Sequence, residues 1–260
     1  MKSKAISLLA LLLLVGPACT TTVVVSVHQP SSSSTLTGTN CKLQRELRNQ
    51  HQQTSVWCWA ASAHTVIEYV KNEPIEQCTL VDAVFRRELD AAWENPIGTI
   101  SGTNPGNPLD RPHCCMSTEP SYPSNAAPNV VDVANSRCLS NGWPELIFNT
   151  EPFRMRFERY DYYGGNYYPQ GLSWDEIVAE ICADRPMISA IHFSPELGDA
   201  AHTVVIGGYN ELEDGSQWVH VYDPGSSTLE DDYYLWPYDI YLGDPGVFTH
   251  VRDYKNISLP

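Results

Sequence analysis

The chain has 260 residues, enough for one large domain or two modest ones, and its 42% hydrophobic and 10% aromatic content excludes a disordered protein. A formal charge of -15 sets it against nucleic acid and anionic membrane surfaces, which repel an acidic protein, so neither is an expected partner.

The first residues address the compartment. Lys2 and Lys4 precede an apolar run of about eleven residues, Ala5 to Val15, too short to span a bilayer as a helix. Gly16, Pro17 and Ala18 then lead to Cys19, so residues 1–18 read as a secretory signal peptide. Two outcomes at Cys19 stay open. Cleavage after Ala18 is the ordinary one; alternatively "LLVGPAC" resembles a bacterial lipobox, with Gly16 where leucine is preferred, and Cys19 is lipidated. Such a lipid is the one membrane contact expected. Residues 19–40 carry no charge and are rich in Ser and Thr, the composition of a flexible tether. Residues 41–260 are expected to form the folded domain, monomeric and exported: secreted, periplasmic or lipid-anchored.

Along that domain, apolar positions Trp59, Ala63, Ile67 and Val70 predict a helix over 54–71, capped by Thr54 or Ser55 and ended by Asn72 to Pro74. Ile75, Val81, Val84, Phe85, Leu89 and Trp93 predict a second over 75–93. Residues 94–137 are dense in Pro, Gly and Asn, and a loop of that length needs an anchor, which disulfides through Cys114 and Cys115 would supply. A short helix from Val130 is expected to include Cys138.

The second half changes period. "FRMRFERYDYY" alternates like a strand. "LSWDEIVAEICADRP" is a helix with Ser173 as N-cap, Glu176 as its capping-box partner and Pro186 beyond its end. "MISAIHF", "HTVVIGGYN" and "WVHVYDP" are strand-like runs. Helices followed by strands give an α+β class.

Eight cysteines are present. With Cys19 assigned to the signal region and Cys58 held apart, Cys41, Cys78, Cys114, Cys115, Cys138 and Cys182 remain, an even set suited to disulfides in an exported chain. A zinc site from His113, Cys114, Cys115 and Cys138 matches no common ligand spacing, so no metal or cofactor is expected.

Cys58 stands in "SVWCWAAS" at a predicted helix start, and three readings compete there: packing residue, disulfide half, or nucleophile. A nucleophile must be a thiolate, and a helix N-terminus favours that anion through its unpaired N–H groups and dipole. It also needs a histidine, an orienter for that histidine, and oxyanion donors. His28 falls in the tether, and His64 pairs with Glu68 along its own helix face, expected to be solvated. His113 adjoins the double cysteine, while His192, His220 and His250 lie in or at the ends of strand-like runs. His202 opens an apolar strand after a loop, where an imidazole is held rigidly and still faces a cleft. Asp223 ends the next strand, but a tight turn at Asp214-Gly215 would set it opposite Ile206, four residues from His202; a wider or bulged connection is required. For an amide donor, Gln52 lies six residues before Cys58 and Gln53 five, and both are candidates.

Gln52, the gap to Cys58-Trp59, then "AHTVVIGGY" and "VYDP" resemble papain-like cysteine peptidases, and more closely their bacterial branches: plant-pathogen effector proteases and peptidase domains that trim bacteriocin leaders. "WCWAAS", "QCTLVD" and the later "CC" are similar to exported members. The resemblance spans roughly residues 50–225. It implies a helical N-terminal half and an antiparallel β C-terminal half with a cleft between them. It further implies Cys58 as nucleophile, His202 as base, Asp223 as orienter, Gln52 as oxyanion donor, and protein or peptide substrates. Ser55-Val56-Trp57 departs from papain's own pattern, and Asp223 stands where papain has asparagine. A cell-wall peptide amidase, an acyl transferase using the same thiol, and a non-catalytic binding module on the same scaffold are the alternatives.

Overall fold

The computed structural model describes residues 41–54, 56–94, 142–162, 171–195, 200–225, 233–243 and 246–260, with side chains of the second helix described as far as Phe85. The expected signal peptide, the tether, the double cysteine and the helix from Val130 lie outside these residues.

Helix α1 runs Cys58–Lys71 and α2 Gln77–Glu94. α1 starts four residues later than the periodicity alone suggests. Thr54 caps nothing: its carbonyl accepts from the Trp57 N–H at 3.2 Å in a turn before the helix, and the N-cap Trp57 has no side-chain cap. The first intrahelical bond runs from Ala61 N–H to Trp57 C=O, leaving the N–H groups of the Cys58 turn directed out of the helix end. At the other end Asn72 adopts a left-handed φ of 55° and donates to the Glu68 carbonyl, the expected stop.

α1 is buried nearly all round, from Cys58 through Ile67, and such a helix belongs in a core rather than on a surface. Trp59, Ala63, Val66 and Ile67 pack with Leu80, Val81, Val84 and Phe85 of α2. Each such large apolar side chain stabilises the fold by about 1.5–3 kcal/mol. His64 is carried inside with them. Its pair with Glu68 is present at 3.4 Å, but the ring is 5% exposed, so the solvated face expected for it does not hold. Burial lowers its pKa against the opposing pull of Glu68 and neighbouring groups.

A short helix α3 (Pro144–Phe148) precedes strand β1 (Arg156–Asp161) and helix α4 (Trp174–Cys182). α4 carries the capping box read from sequence: Ser173 Oγ accepts from Glu176 N–H, and Glu176 accepts from Ser173 N–H at 2.9 Å. Strands β2 (Met187–Phe193), β3 (Ala201–Glu211), β4 (Gln217–Tyr222) and β5 (Tyr234–Pro237) follow, then the one-turn helix α5 (Tyr238–Tyr241) and β6 (Phe248–Ser258). The six strands form one antiparallel sheet in the order β1-β6-β2-β3-β4-β5. The architecture is α+β, helical in its N-terminal part and β in its C-terminal part.

β6 was foreseen only as a strand-like run at His250, although it lies inside the sheet. Its buried positions include His250, Arg252 and Asp253, which break the apolar alternation that marks a strand. β3 is easier to read, because both its faces are covered from His202 to Tyr209. α1 packs chiefly on β3, and Ser62 Oγ donates to the Thr203 carbonyl at 3.0 Å.

Cys41 and Cys182 form a disulfide across 141 residues, tying the segment before α1 to the end of α4. Both belong to the set expected to pair.

Candidate active site

The register between β3 and β4 decides whether Asp223 can meet His202. Two departures from a tight hairpin act together. Leu212 N–H bonds Ser216 C=O at 2.9 Å, closing a loop of Glu213, Asp214 and Gly215 rather than a two-residue turn. A bulge between Ile206 and Gly208 then shifts the ladder again, so that Ile206 faces Val221 and Val205 faces Tyr222. Gly207 sits in that bulge where side chains crowd it: a Cβ there would come 2.6 Å from both the Leu47 and Tyr222 side chains. One step further along the ladder, Asp223 is level with Val204. It becomes a diagonal, same-face neighbour of His202, within side-chain reach.

The two do meet. His202 Nε2 lies 2.7 Å from Asp223 Oδ1, with both residues buried. Gly225 N–H donates to the same oxygen at 2.7 Å. Burial on its own would raise the Asp223 pKa; the His202 charge and hydrogen bond, the Gly225 N–H and the His51 charge overcome it and hold the carboxyl below its ordinary value. Asp223 is therefore an anion that fixes Nε2 of the ring as the protonated nitrogen. Phe193, at the end of β2, stacks on the imidazole with centroids 6.2 Å apart and planes 24° from parallel.

Gln52 is brought to the same place. A methyl group built on Gly225 would lie 3.2 Å from Asp223 Oδ1, 3.4 Å from His202 Cε1 and 3.8 Å from Gln52 Oε1, so three side chains converge on one point. The segments are stitched together through the backbone: Gln52 N–H donates to the Pro224 carbonyl at 2.9 Å, and Asn49 Nδ2 donates to the Asp223 carbonyl at 2.9 Å. Gln53 does not join them. Its side chain is exposed and its N–H is held by Gln77 Oε1 at 2.9 Å.

Cys58 is the first residue of α1 and is 4% exposed. Ser62 lies one turn along the same helix face and bonds the Thr203 carbonyl, which sets Cys58 on the side of α1 that looks toward the start of β3. Its sulfur is in a disulfide, as are those of Cys41, Cys78 and Cys182, and no described cysteine is free. The expectation that Cys58 stands apart from the pairing cysteines is thus corrected. Pairing depends on which sulfurs fold within bonding distance, and parity along a chain does not reveal that.

The other histidines go elsewhere. His220, on β4, stacks on Tyr233 at 4.4 Å, and burial lowers its pKa to about 4, so it is neutral at pH 7. His250 bonds Asp253 in the sheet interior. Sequence reasoning missed His51, Asn49, Phe193 and Gly225. The adjacency of His51 to Gln52 was the one signal available; the rest are recognisable only by where they touch the pair. Among the described residues, no His, Cys, Asp and Glu cluster of three or more is arranged to hold a metal ion; His113, Cys114, Cys115 and Cys138, weighed above as a zinc set, lie outside them.

Two family models match the chain in succession. Residues 40–106 match "Papain-like cysteine protease AvrRpt2", and residues 152–241 match the "Peptidase_C39 like family". The first stretch contains Gln52 and Cys58, the second His202 and Asp223. Both matches are to cysteine peptidase families, and together they support a papain-like fold family and a cysteine-type peptidase as the enzyme class. A search of curated proteins finds no match.

Proposed function

We propose that the protein is an exported peptidase that hydrolyses peptide bonds through Cys58, His202, Asp223 and Gln52. The observation that carries this reading is the buried His202–Asp223 contact at 2.7 Å with Gln52 beside it, facing the helix that Cys58 begins. The substrate lies in a cleft between the helical part and the sheet. The Cys58 thiolate, free once its disulfide is opened, attacks the scissile carbonyl carbon. The Gln52 amide and the Cys58 backbone N–H receive the oxyanion, each such donor worth about 10²–10³ in rate. His202 protonates the departing amine, and the C–N bond breaks to leave a thioester on Cys58. His202 then takes a proton from water, which attacks the thioester and releases the acid and the thiolate. Asp223 holds the ring in one tautomer throughout. The working unit is a monomer of residues 41–260, reached through a signal peptide at 1–18 and a tether at 19–40, with a lipid on Cys19 as its only membrane attachment.

The Cys58 disulfide is the one observation that favours a different class, a binding module on the same scaffold without catalysis. Amidase and acyl-transfer readings share the thiol chemistry and differ in products. The test is digestion of a mixed peptide library by dithiol-treated protein, read by mass spectrometry with and without an added amine. Cleavage by the wild type and none by Cys58→Ala is the expected result. Products carrying the amine would reassign the reaction to transfer, and cleavage that survives Cys58→Ala would overturn the site.

A further inference from the structure

The glutamine that opens α2 has no part in the reaction proposed above, yet both ends of its side chain are spent beside Gln52. Gln77 is 1% exposed. Its Nε2 donates to the His51 carbonyl at 3.2 Å, and its Oε1 accepts from the Gln53 N–H at 2.9 Å. These two backbone groups belong to the residues on either side of Gln52. We propose that Gln77 is a positioning residue that keeps the Gln52 amide aimed at the oxyanion, an inference that rests on the peptidase reading above.

An amide carries a donor and an acceptor in one plane, so a single side chain can satisfy both a C=O and an N–H. Here the two it satisfies lie one before and one after Gln52, which restrains the backbone that carries the Gln52 side chain. The Gln52 N–H itself donates to the Pro224 carbonyl at 2.9 Å. Residues 51–53 are therefore held from two directions, by α2 and by the segment that follows β4. The two anchors serve different partners. Pro224 adjoins Asp223, so that bond ties Gln52 to the His202–Asp223 pair. Gln77 stands on the helix whose Leu80, Val81, Val84 and Phe85 pack with Trp59, Ala63, Val66 and Ile67 of α1, and α1 begins at Cys58. The Gln77 clamp thus ties Gln52 to the helix of the nucleophile. It also gives a task to the first residue of "QCTLVD".

The effect belongs to kcat. The oxyanion forms only as the reaction proceeds, so a donor moved by about 1 Å costs up to about 10²-fold in rate without weakening the binding of substrate. Loss of the clamp cannot cost more than loss of the Gln52 amide, because it acts through that amide alone.

The test is a double-mutant cycle on the full-length, dithiol-treated protein. It uses wild type, Gln77→Met, Gln52→Ala and the double variant. Gln77→Met keeps the length of the side chain and removes both bonds. Steady-state rates on the best-cleaved peptide of the library are taken per folded molecule, and the rate of Cys58 labelling by iodoacetamide at pH 6 is followed in parallel. Gln77→Met is expected to lower kcat on the order of 30-fold, with KM within about two-fold of wild type and Cys58 labelling unchanged. In the Gln52→Ala background the same substitution should lower kcat less than about two-fold. Gln77→Glu keeps the acceptor for the Gln53 N–H, should show a smaller loss, and carries the same cycle if Gln77→Met does not fold. An unchanged kcat overturns the clamp. An equal fall in both backgrounds overturns it too, since Gln77 would then act without Gln52, and so does slowed Cys58 labelling, which would place its effect on the nucleophile. In these three cases wild-type cleavage leaves the peptidase reading standing. No cleavage by wild type with Cys58 labelled overturns that reading, and the clamp with it.

Discussion

His202 with Asp223 and His250 with Asp253 are both buried imidazole–carboxylate pairs on one sheet, with N–O distances of 2.7 and 3.2 Å. The first joins residues 21 apart through a hairpin; the second joins residues three apart on one strand. They differ most in the second ring nitrogen. His250 Nδ1 faces Asp253 and its Nε2 donates to the Tyr241 carbonyl at 2.6 Å, so both nitrogens are committed. Tyr162 O–H completes the surroundings by donating to Asp253 Oδ2 at 2.8 Å. His202 uses Nε2 alone on Asp223, and no described residue hydrogen-bonds its Nδ1. A His–Asp contact therefore does not define a proton-transfer pair. What matters is whether the ring keeps one nitrogen for the reaction. By that criterion His250 is a structural cation, and His202 is the ring suited to the base role proposed for it.

Exchanging the two histidines in turn is the sharpest way to break this distinction. His202→Ala in the dithiol-treated protein should lower kcat/KM of the folded fraction at least 10³-fold, because it removes the proton carrier, and should also lower stability, because the buried Asp223 carboxylate loses its partner. Equal activity would erase the contrast. His250→Leu should cost stability while leaving the rate intact. It leaves the Asp253 charge buried without its partner, at a cost of about 3–5 kcal/mol, with kcat of the folded fraction within a few-fold of wild type. Denaturant unfolding and initial rates on the same samples check both arms.

The pH dependence of stability follows the same division. Burial acts against a charged His250, but the Asp253 charge, the Asp253 hydrogen bond and the Tyr241 carbonyl outweigh it and raise the pKa. The folded value lies above the free imidazole value of about 6.5. The stabilisation from this pair is thus complete below that pH and is lost as pH rises through the folded pKa. The stability gap between wild type and His250→Gln should be widest in acid and narrow as pH rises through the folded His250 pKa; a gap that widens with pH contradicts the assignment. Asp223 has the opposite sign. Its pKa is lowered, so its contribution is present above about pH 3.9 and disappears as pH falls through the folded value.

The smallest effect expected is from Gly225→Ala. The added methyl would meet Asp223 Oδ1 at 3.2 Å and His202 Cε1 at 3.4 Å, so a few tenths of an ångström must be absorbed where the pair is aligned. A loss in kcat on the order of 10-fold, with KM unchanged, is predicted from misplacement of this kind. An unaltered kcat would mean that the Gly225 peptide does not position the pair.

Local pattern made α1, α4, β2 and β3 legible, because their periodicity and caps are carried by neighbouring residues. It was weakest at β6, read only as a strand-like run at His250, because His250, Arg252 and Asp253 are polar and buried together; polar residues inside a sheet are stable only when partners from other elements satisfy them. It also misjudged His64, since a polar residue on an apolar helix reads as a solvated face until the whole helix is known to be enclosed.

Residue order alone determined the class of the chain, the identities of Gln52, Cys58, His202 and Asp223 as a candidate set, and the helix that begins at Cys58. The tertiary structure decided two further things. It set the register that brings Asp223 beside His202, through one added loop residue and one bulge. It also placed Cys58 in a disulfide. Both are matters of distance between segments far apart in the chain, and short-range patterns of hydrophobicity and capping contain no term for such distances.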